Sequence, residues 1–157
     1  MTLLTETRFA YGDALLKLGA ENPQVVVLDA DLYKSTRTIL FKEAYPDRFF
    51  DMGISEADMV STAAGLASTG LIPYCNSFAI FLPGVCYVPI RTQIAYPKLP
   101  VRLVGSSAGL TQGPDGASHQ SLEDISLMRG MPNMIVLSPA DGVETTQMTL
   151  ATAAMPG

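Results

Sequence analysis

The sequence predicts one α/β domain: a doubly wound, mainly parallel sheet with helices on both faces. Three observations predict it. Gln24-Val-Val-Val-Leu28 is an unbroken run of β-branched and aliphatic residues, as in a strand covered on both faces. Short apolar strands alternate with helical patterns along the whole chain. The length, 157 residues at 48% hydrophobic, suits a single core.

The elements follow in order. Residues 5–20 read as a helix, with Phe9, Leu15, Leu16 and Leu18 broadly on one side and Gly19 as its stop. The first strand, 24–28, ends at Asp29-Ala-Asp31-Leu32. Further strands are expected at 48–52, 72–75, 101–105 and 134–137. Helices are expected at 39–44, 56–68, 80–95, 121–129 and 142–154. Pro83 and Pro89 make the 80–95 helix irregular, because proline removes a donor and clashes with the preceding turn. There is no repeat, linker or low-complexity stretch.

Composition narrows the function classes. The net charge of −5 and a pI near 4.7 argue against a nucleic-acid footprint, which needs clustered Lys and Arg. No apolar run approaches a membrane span, and the first eight residues lack the basic and apolar regions of a signal peptide. A cytoplasmic protein is expected. Cys75 and Cys86 form neither a metal pattern nor a disulfide framework, so both are expected to be buried free thiols. Charged residues are only 16% and the mean hydropathy is +0.25. That is too apolar to cover a small monomer comfortably, so part of the surface is expected to lie against a partner.

The most informative stretch is Gly53-Ile-Ser-Glu56-Ala-Asp-Met-Val60. Gly53 permits a sharp turn from strand to helix. Glu56 then stands at the carboxyl edge of the sheet, where open α/β folds bind ligands, and opens a helix of Ala, Leu and Gly too apolar for a solvated face. Two readings are open: an acid favoured by the helix dipole, or a functional acid at the lip of a buried element. Phe78 and Phe81 lie three residues apart and form either core or the wall of an apolar slot. His119, the single histidine, sits in the polar loop Gly113-Pro-Asp115-Gly-Ala-Ser-His119, either a flexible loop or a site.

Gly53-Ile-Ser-Glu56-Ala-Asp-Met resembles the acid-bearing segment of the pyrimidine-binding domain in thiamine-diphosphate enzymes of the transketolase group. The same family is resembled, in order, by four further stretches. They are Gly65-Leu-Ala-Ser-Thr-Gly70-Leu-Ile-Pro-Tyr74, Ser77-Phe78-Ala-Ile-Phe81, Gly113-Pro-Asp115-Gly-Ala-Ser-His119-Gln120, and Pro132-Asn133 with Ser138-Pro-Ala-Asp141-Gly142. Together they span nearly the whole chain.

The resemblance implies roles. Glu56 would be the carboxylic acid that meets N1′ of the cofactor's aminopyrimidine and drives it to its imino tautomer. Phe81 would stack on the pyrimidine and Phe78 would line its pocket, with Gly84 where a third aromatic is usual. His119 and Asp115 would face the substrate's oxygens. Asp31 would stand against the cofactor, and Arg8 and Ser35 would contact a sugar-phosphate tail, although Arg8 reads equally as a solvated helix residue. The family's phosphate-binding histidine falls at Gly105 or Ser106 here, which alters that site.

The sequence contains no Gly-Asp-Gly with a distal Asn to hold Mg²⁺ and the diphosphate. The resemblance therefore implies a separate diphosphate-binding subunit that carries Mg²⁺, and self-association through the same fold. It also implies a further strand beginning Gly-Pro-Val beyond Gly157, so a truncated domain is expected. The implied function is the carboxyl-terminal subunit of a split transketolase acting on sugar phosphates. The alternatives are the beta subunit of a 2-oxo acid dehydrogenase, a deoxyxylulose-phosphate-synthase-like enzyme, or a non-catalytic assembly module.

Overall fold

The computed structural model describes residues 5–110 and 112–156. Four strands form one parallel sheet in the order β2-β1-β3-β4: β1 (Val25–Asp29), β2 (Phe49–Asp51), β3 (Ile72–Phe78) and β4 (Arg102–Ser106). The helices are α1 (Thr7–Glu21), α2 (Ile39–Ala44), α3 (Glu56–Ser68), α4 (Phe81–Val85), the single turn α5 (Tyr87–Pro89), α6 (Asp124–Arg129) and α7 (Gly142–Thr152).

All five residues of β1 are buried, as the β-branched run requires. Successive strand side chains point to opposite faces, so β1 feeds two cores. Val25 and Val27 join Tyr11, Leu15, Leu18, Phe41 and Tyr74 beneath α1 and α2. Val26 and Leu28 join Met59, Val60, Ala63, Leu82 and Ile90 on the α3 face. Helices on both faces are thus a finding. Asn76, fully buried in β3, ties the centre together: its Nδ2 donates to Leu28 O and Tyr74 O at 3.0 Å, and its Oδ1 accepts from Tyr11 Oη at 2.5 Å.

Four expectations need correction. Residues 134–137 are not a strand of the sheet among the described residues. They carry no ladder bonds and, with β4, line a cleft of about 990 Å³ that includes Leu103, Val104, Met134, Val136 and Met148. An apolar strand pattern lays down extended backbone, but pairing requires a neighbouring edge within bonding reach.

Gly19 is no helix stop. The helix continues to Glu21, and a Cβ at Gly19 would lie 2.5 Å from the Tyr45 ring and 2.6 Å from the Phe41 ring. The glycine serves close packing of α1 on α2 rather than chain reversal.

The 80–95 helix is broken into α4, α5 and a π-helical stretch, Ile90–Ala95. Pro83 and Pro89 lie in the broken region, each lacking a backbone donor. The 121–129 helix begins only at Asp124. α7 is capped as its sequence allows: Asp141 Oδ1 accepts from Glu144 N at 2.9 Å, and Glu144 Oε2 accepts from Ala140 N at 2.7 Å.

Cys75 and Cys86 are free and buried. Gly157, at the threshold of the further strand expected from the sequence, lies outside the described residues.

Candidate active site

A parallel sheet gathers its strand-to-helix loops at one edge. Asp31 follows β1, Glu56 follows β2, Phe78 ends β3 just before Phe81, and the loop bearing Asp115 and His119 follows β4. Arg8 joins this edge because α1 runs antiparallel to β1, the strand it feeds, which brings its first turn to the strands' carboxyl ends.

Glu56 is the first residue of α3 and only 8% exposed. Gly53, at φ 65°, makes the turn that aims it inward. Ser77 Oγ, fully buried in β3, donates to Glu56 Oε1 at 2.8 Å. The other carboxylate oxygen has no hydrogen-bond partner among the described residues. Cys86 lies close enough to feel the charge: burial first, and the Glu56 carboxylate second, push its thiol up to about 11. The acid is thus placed in a largely dry setting with one oxygen committed and one unengaged.

Phe78 and Phe81 stack with ring centroids 6.3 Å apart and planes 26° from parallel. Phe78 is 5% exposed at the strand end, while Phe81 is half-buried at the start of α4. His119 closes on them edge-on, at 5.1 Å from Phe81 and 6.2 Å from Phe78. It stands in a short 3-10 turn, Ala117–His119, with Ser118 Oγ at 3.0 Å from its Nδ1. Gly84 is exposed and leaves that side of the slot without an aromatic wall.

The other expected residues are not brought into this cluster. Asp115 is exposed and accepts from Gln112 within its own loop. Asp31 and Ser35 are exposed in the loop after β1, where residues 31–35 line a separate hollow of about 280 Å³. Arg8 is exposed, paired with Glu6 at 2.7 Å, and lines the large cleft together with Gly105 and Ser106. Neither Glu56, Phe78, Phe81 nor His119 lines that cleft.

Three residues that matter were not singled out from the sequence. Ser77 holds Glu56. Asp29, fully buried at the end of β1, accepts from Leu32 N at 2.6 Å and from the Thr36 and Thr38 hydroxyls at 2.8 Å each. It thereby clasps the loop that carries Asp31 and Ser35. Burial dominates its pKa, raising it to about 6 against the pull of the three donors. Thr36-Arg37-Thr38, seven to nine residues after an acid that ends a strand, was the available signal. Arg37 is the third; its guanidinium carbon lies 4.6 Å from the Phe9 ring.

A buried acid and a stacked aromatic pair thus stand at the carboxyl edge of one parallel sheet. Residues 5–157 match the transketolase pyrimidine-binding domain family. The chain belongs to that family. A Methanocaldococcus jannaschii protein assigned as a transketolase C-terminal section is 49% identical over 138 residues, 88% of this chain and 44% of that protein. A 6-deoxy-6-sulfo-D-fructose transketolase subunit from Clostridium sp. (strain MSTE9) is 38% identical over 137 residues, 87% of this chain and 42% of its own. Among solved structures, a split-gene transketolase described as an inactive beta4 tetramer superposes with a TM-score of 0.85 at 49% identity, over 96% of this chain and 48% of that one. Campylobacter jejuni transketolase superposes with a TM-score of 0.89 at 26% identity, over 98% and 24%. The chain therefore spans less than half the length of the relatives it matches.

The residues present fit the pyrimidine half of thiamine diphosphate: a flat apolar pair, and an acid with a free oxygen at the same sheet edge. Among the described residues no group of three His, Cys, Asp or Glu could hold a metal ion, and no helix is long and apolar enough to cross a membrane.

Proposed function

We propose that the chain is the pyrimidine-binding part of a thiamine-diphosphate-dependent transketolase, working with a separate diphosphate-binding subunit that holds Mg²⁺. The reaction is reversible transfer of a two-carbon ketol unit from a ketose phosphate to an aldose. Glu56 carries this reading: an acid 8% exposed, held on one oxygen by Ser77 and unengaged on the other, at the same sheet edge as a stacked aromatic pair.

When bound, thiamine diphosphate supplies the carbanion chemistry. Glu56 would share a proton with N1′ of the aminopyrimidine, and its dry setting strengthens that hydrogen bond. Ser77 fixes which oxygen faces the ring. Phe81, half-buried with Phe78 behind it, offers the aromatic face for stacking and excludes water. His119, edge-on to Phe81, is the group nearest the slot able both to donate and to accept at a substrate oxygen. Asp115, on the same loop, would join it at the substrate's oxygens. Asp31, on the loop after β1, would stand against the cofactor, and Arg8 and Ser35 would take the substrate's phosphate tail.

Two further observations support an obligate partner. The two most similar relatives described above are a C-terminal section and a subunit, rather than single-chain enzymes. Ile54, Val85, Val88 and Tyr96 are each at least 62% exposed, leaving apolar surface next to Glu56 and along α4 and α5 uncovered. The same surface supports self-association.

The test is ketol transfer with Mg²⁺ and thiamine diphosphate, with and without the diphosphate-binding subunit. Activity only in the mixture is expected. Decarboxylation of a 2-oxo acid by the mixture, without ketol transfer, overturns this reading.

A further inference from the structure

We propose that Arg37 is a second phosphate ligand, acting with Arg8 to hold the phosphoryl group of the sugar substrate; this rests on the transketolase reading above. Arg8 and Arg37 share one ring. Their guanidinium carbons lie 5.0 Å and 4.6 Å from the centroid of Phe9. Two like charges near one aromatic ring repel, and an anion bound by both would offset that repulsion.

Neither charge is neutralised well by the protein. The Arg8 partner is Glu6, and both side chains are about half exposed, so solvent weakens the pair. Arg37 has no carboxylate within ion-pair distance among the described residues. Its Nε is buried without a hydrogen-bond partner. A buried, unsatisfied donor is costly, so no internal hydrogen bond explains why the side chain is held here.

Yet it is held, and by several devices. Arg37 adopts a left-handed backbone, φ 66°, unfavourable for a residue with a Cβ. Both neighbours are buried, and both their hydroxyls bind Asp29 Oδ2 at 2.8 Å. Gly12 on α1 makes room: a Cβ there would lie 2.9 Å from both Cβ and O of Arg37. Strain, a buried carboxylate clasp and a glycine notch therefore converge on one arginine at the same edge as Ser35, Arg8 and Glu56. A planar fork in that position suits a phosphoryl group. It also supplies cationic binding in a chain whose family histidine position, Gly105 or Ser106, offers none.

The experiment is a titration of the ¹⁵N-labelled chain, following the Arg37 Nε–H resonance, with inorganic phosphate, ribose 5-phosphate and ribose. Both phosphates are expected to give a saturable shift, and ribose none. Tighter binding of ribose 5-phosphate marks a sugar-phosphate subsite, and equal binding marks a general phosphate site; both retain Arg37 as ligand. Arg37→Gln should weaken binding at least about tenfold, roughly one charge-assisted contact, whereas Arg129→Gln should not. Arg37→Lys, which keeps the charge and loses the fork, covers loss of fold in Arg37→Gln and should weaken ribose 5-phosphate severalfold. No shift with either phosphate, or wild-type affinity in a folded Arg37 variant, overturns the proposal. The titration needs no partner and no turnover, so its outcome is independent of whether the mixture transfers ketol units.

Discussion

Ser77 Oγ, fully buried at the end of β3, donates a 2.8 Å hydrogen bond to Glu56 Oε1 at the start of α3. The bond links two residues 21 apart in sequence, on elements that also share the core beneath α3. It fixes the rotation of the carboxyl group and so chooses the oxygen left for a ligand. Ser77→Ala should therefore lower kcat/KM for ketol transfer about five- to tenfold, the worth of one such bond, with secondary structure unchanged. Wild-type kcat/KM in the alanine variant would leave Ser77 as packing alone.

Phe81 stacks behind the slot with Phe78 but is itself half-buried, so its face is available. Phe81→Ala should weaken thiamine-diphosphate binding to the assembled enzyme by about 1–3 kcal/mol, the usual worth of an aromatic stack on a base. Calorimetry on the mixed subunits measures it. Unchanged affinity would assign Phe81 to the core.

Asp29 gives a pH dependence of fixed sign. Burial raises its pKa from the ordinary 3.8 to about 6. The folded state therefore holds the proton more tightly than the unfolded chain. The resulting stabilisation is fully present below about pH 4 and lost as pH rises through about 6, by up to about 3 kcal/mol. Urea unfolding of Asp29→Asn should show a flatter stability profile across that window. Equal slopes in variant and wild type would mean that Asp29 titrates normally.

Most of the fold was legible because burial on both faces leaves a plain mark. The run Val25-Val-Val-Leu28 could be read as a central strand, and the helix from Glu56 to Ser68 has the bounds its pattern implied. Phe78, Phe81 and His119 could be named from motif order, and their rings do converge. Ser77, Asp29 and Arg37 were hidden for a different reason. Each acts through a tertiary contact, and neither a hydroxyl on a strand nor an arginine in a loop has a periodicity that reveals its partner. Residues 134–137 failed in the opposite way: their apolar pattern is local, but strand pairing is not.

Gly19 offers a check on the packing of α1 against α2. Gly19→Ala would gain roughly 1 kcal/mol of helix propensity. The added Cβ, however, would press within 2.5–2.8 Å of the Tyr45 and Phe41 rings, and Phe41 is fully buried. Overpacking of that kind costs about 1–3 kcal/mol, so net destabilisation is expected on thermal unfolding. A rise in Tm would show that the two helices can separate without cost.

The most direct test of the whole account is Glu56→Gln, assayed for ketol transfer in the mixture with the diphosphate-binding subunit, Mg²⁺ and thiamine diphosphate. The change is nearly isosteric and keeps an oxygen for Ser77, so folding, subunit association and cofactor retention should persist. The account predicts loss of at least about 100-fold in kcat, in line with removal of a positioned general acid. Wild-type turnover by a fully assembled Glu56→Gln enzyme would contradict it and remove Glu56 from the chemistry.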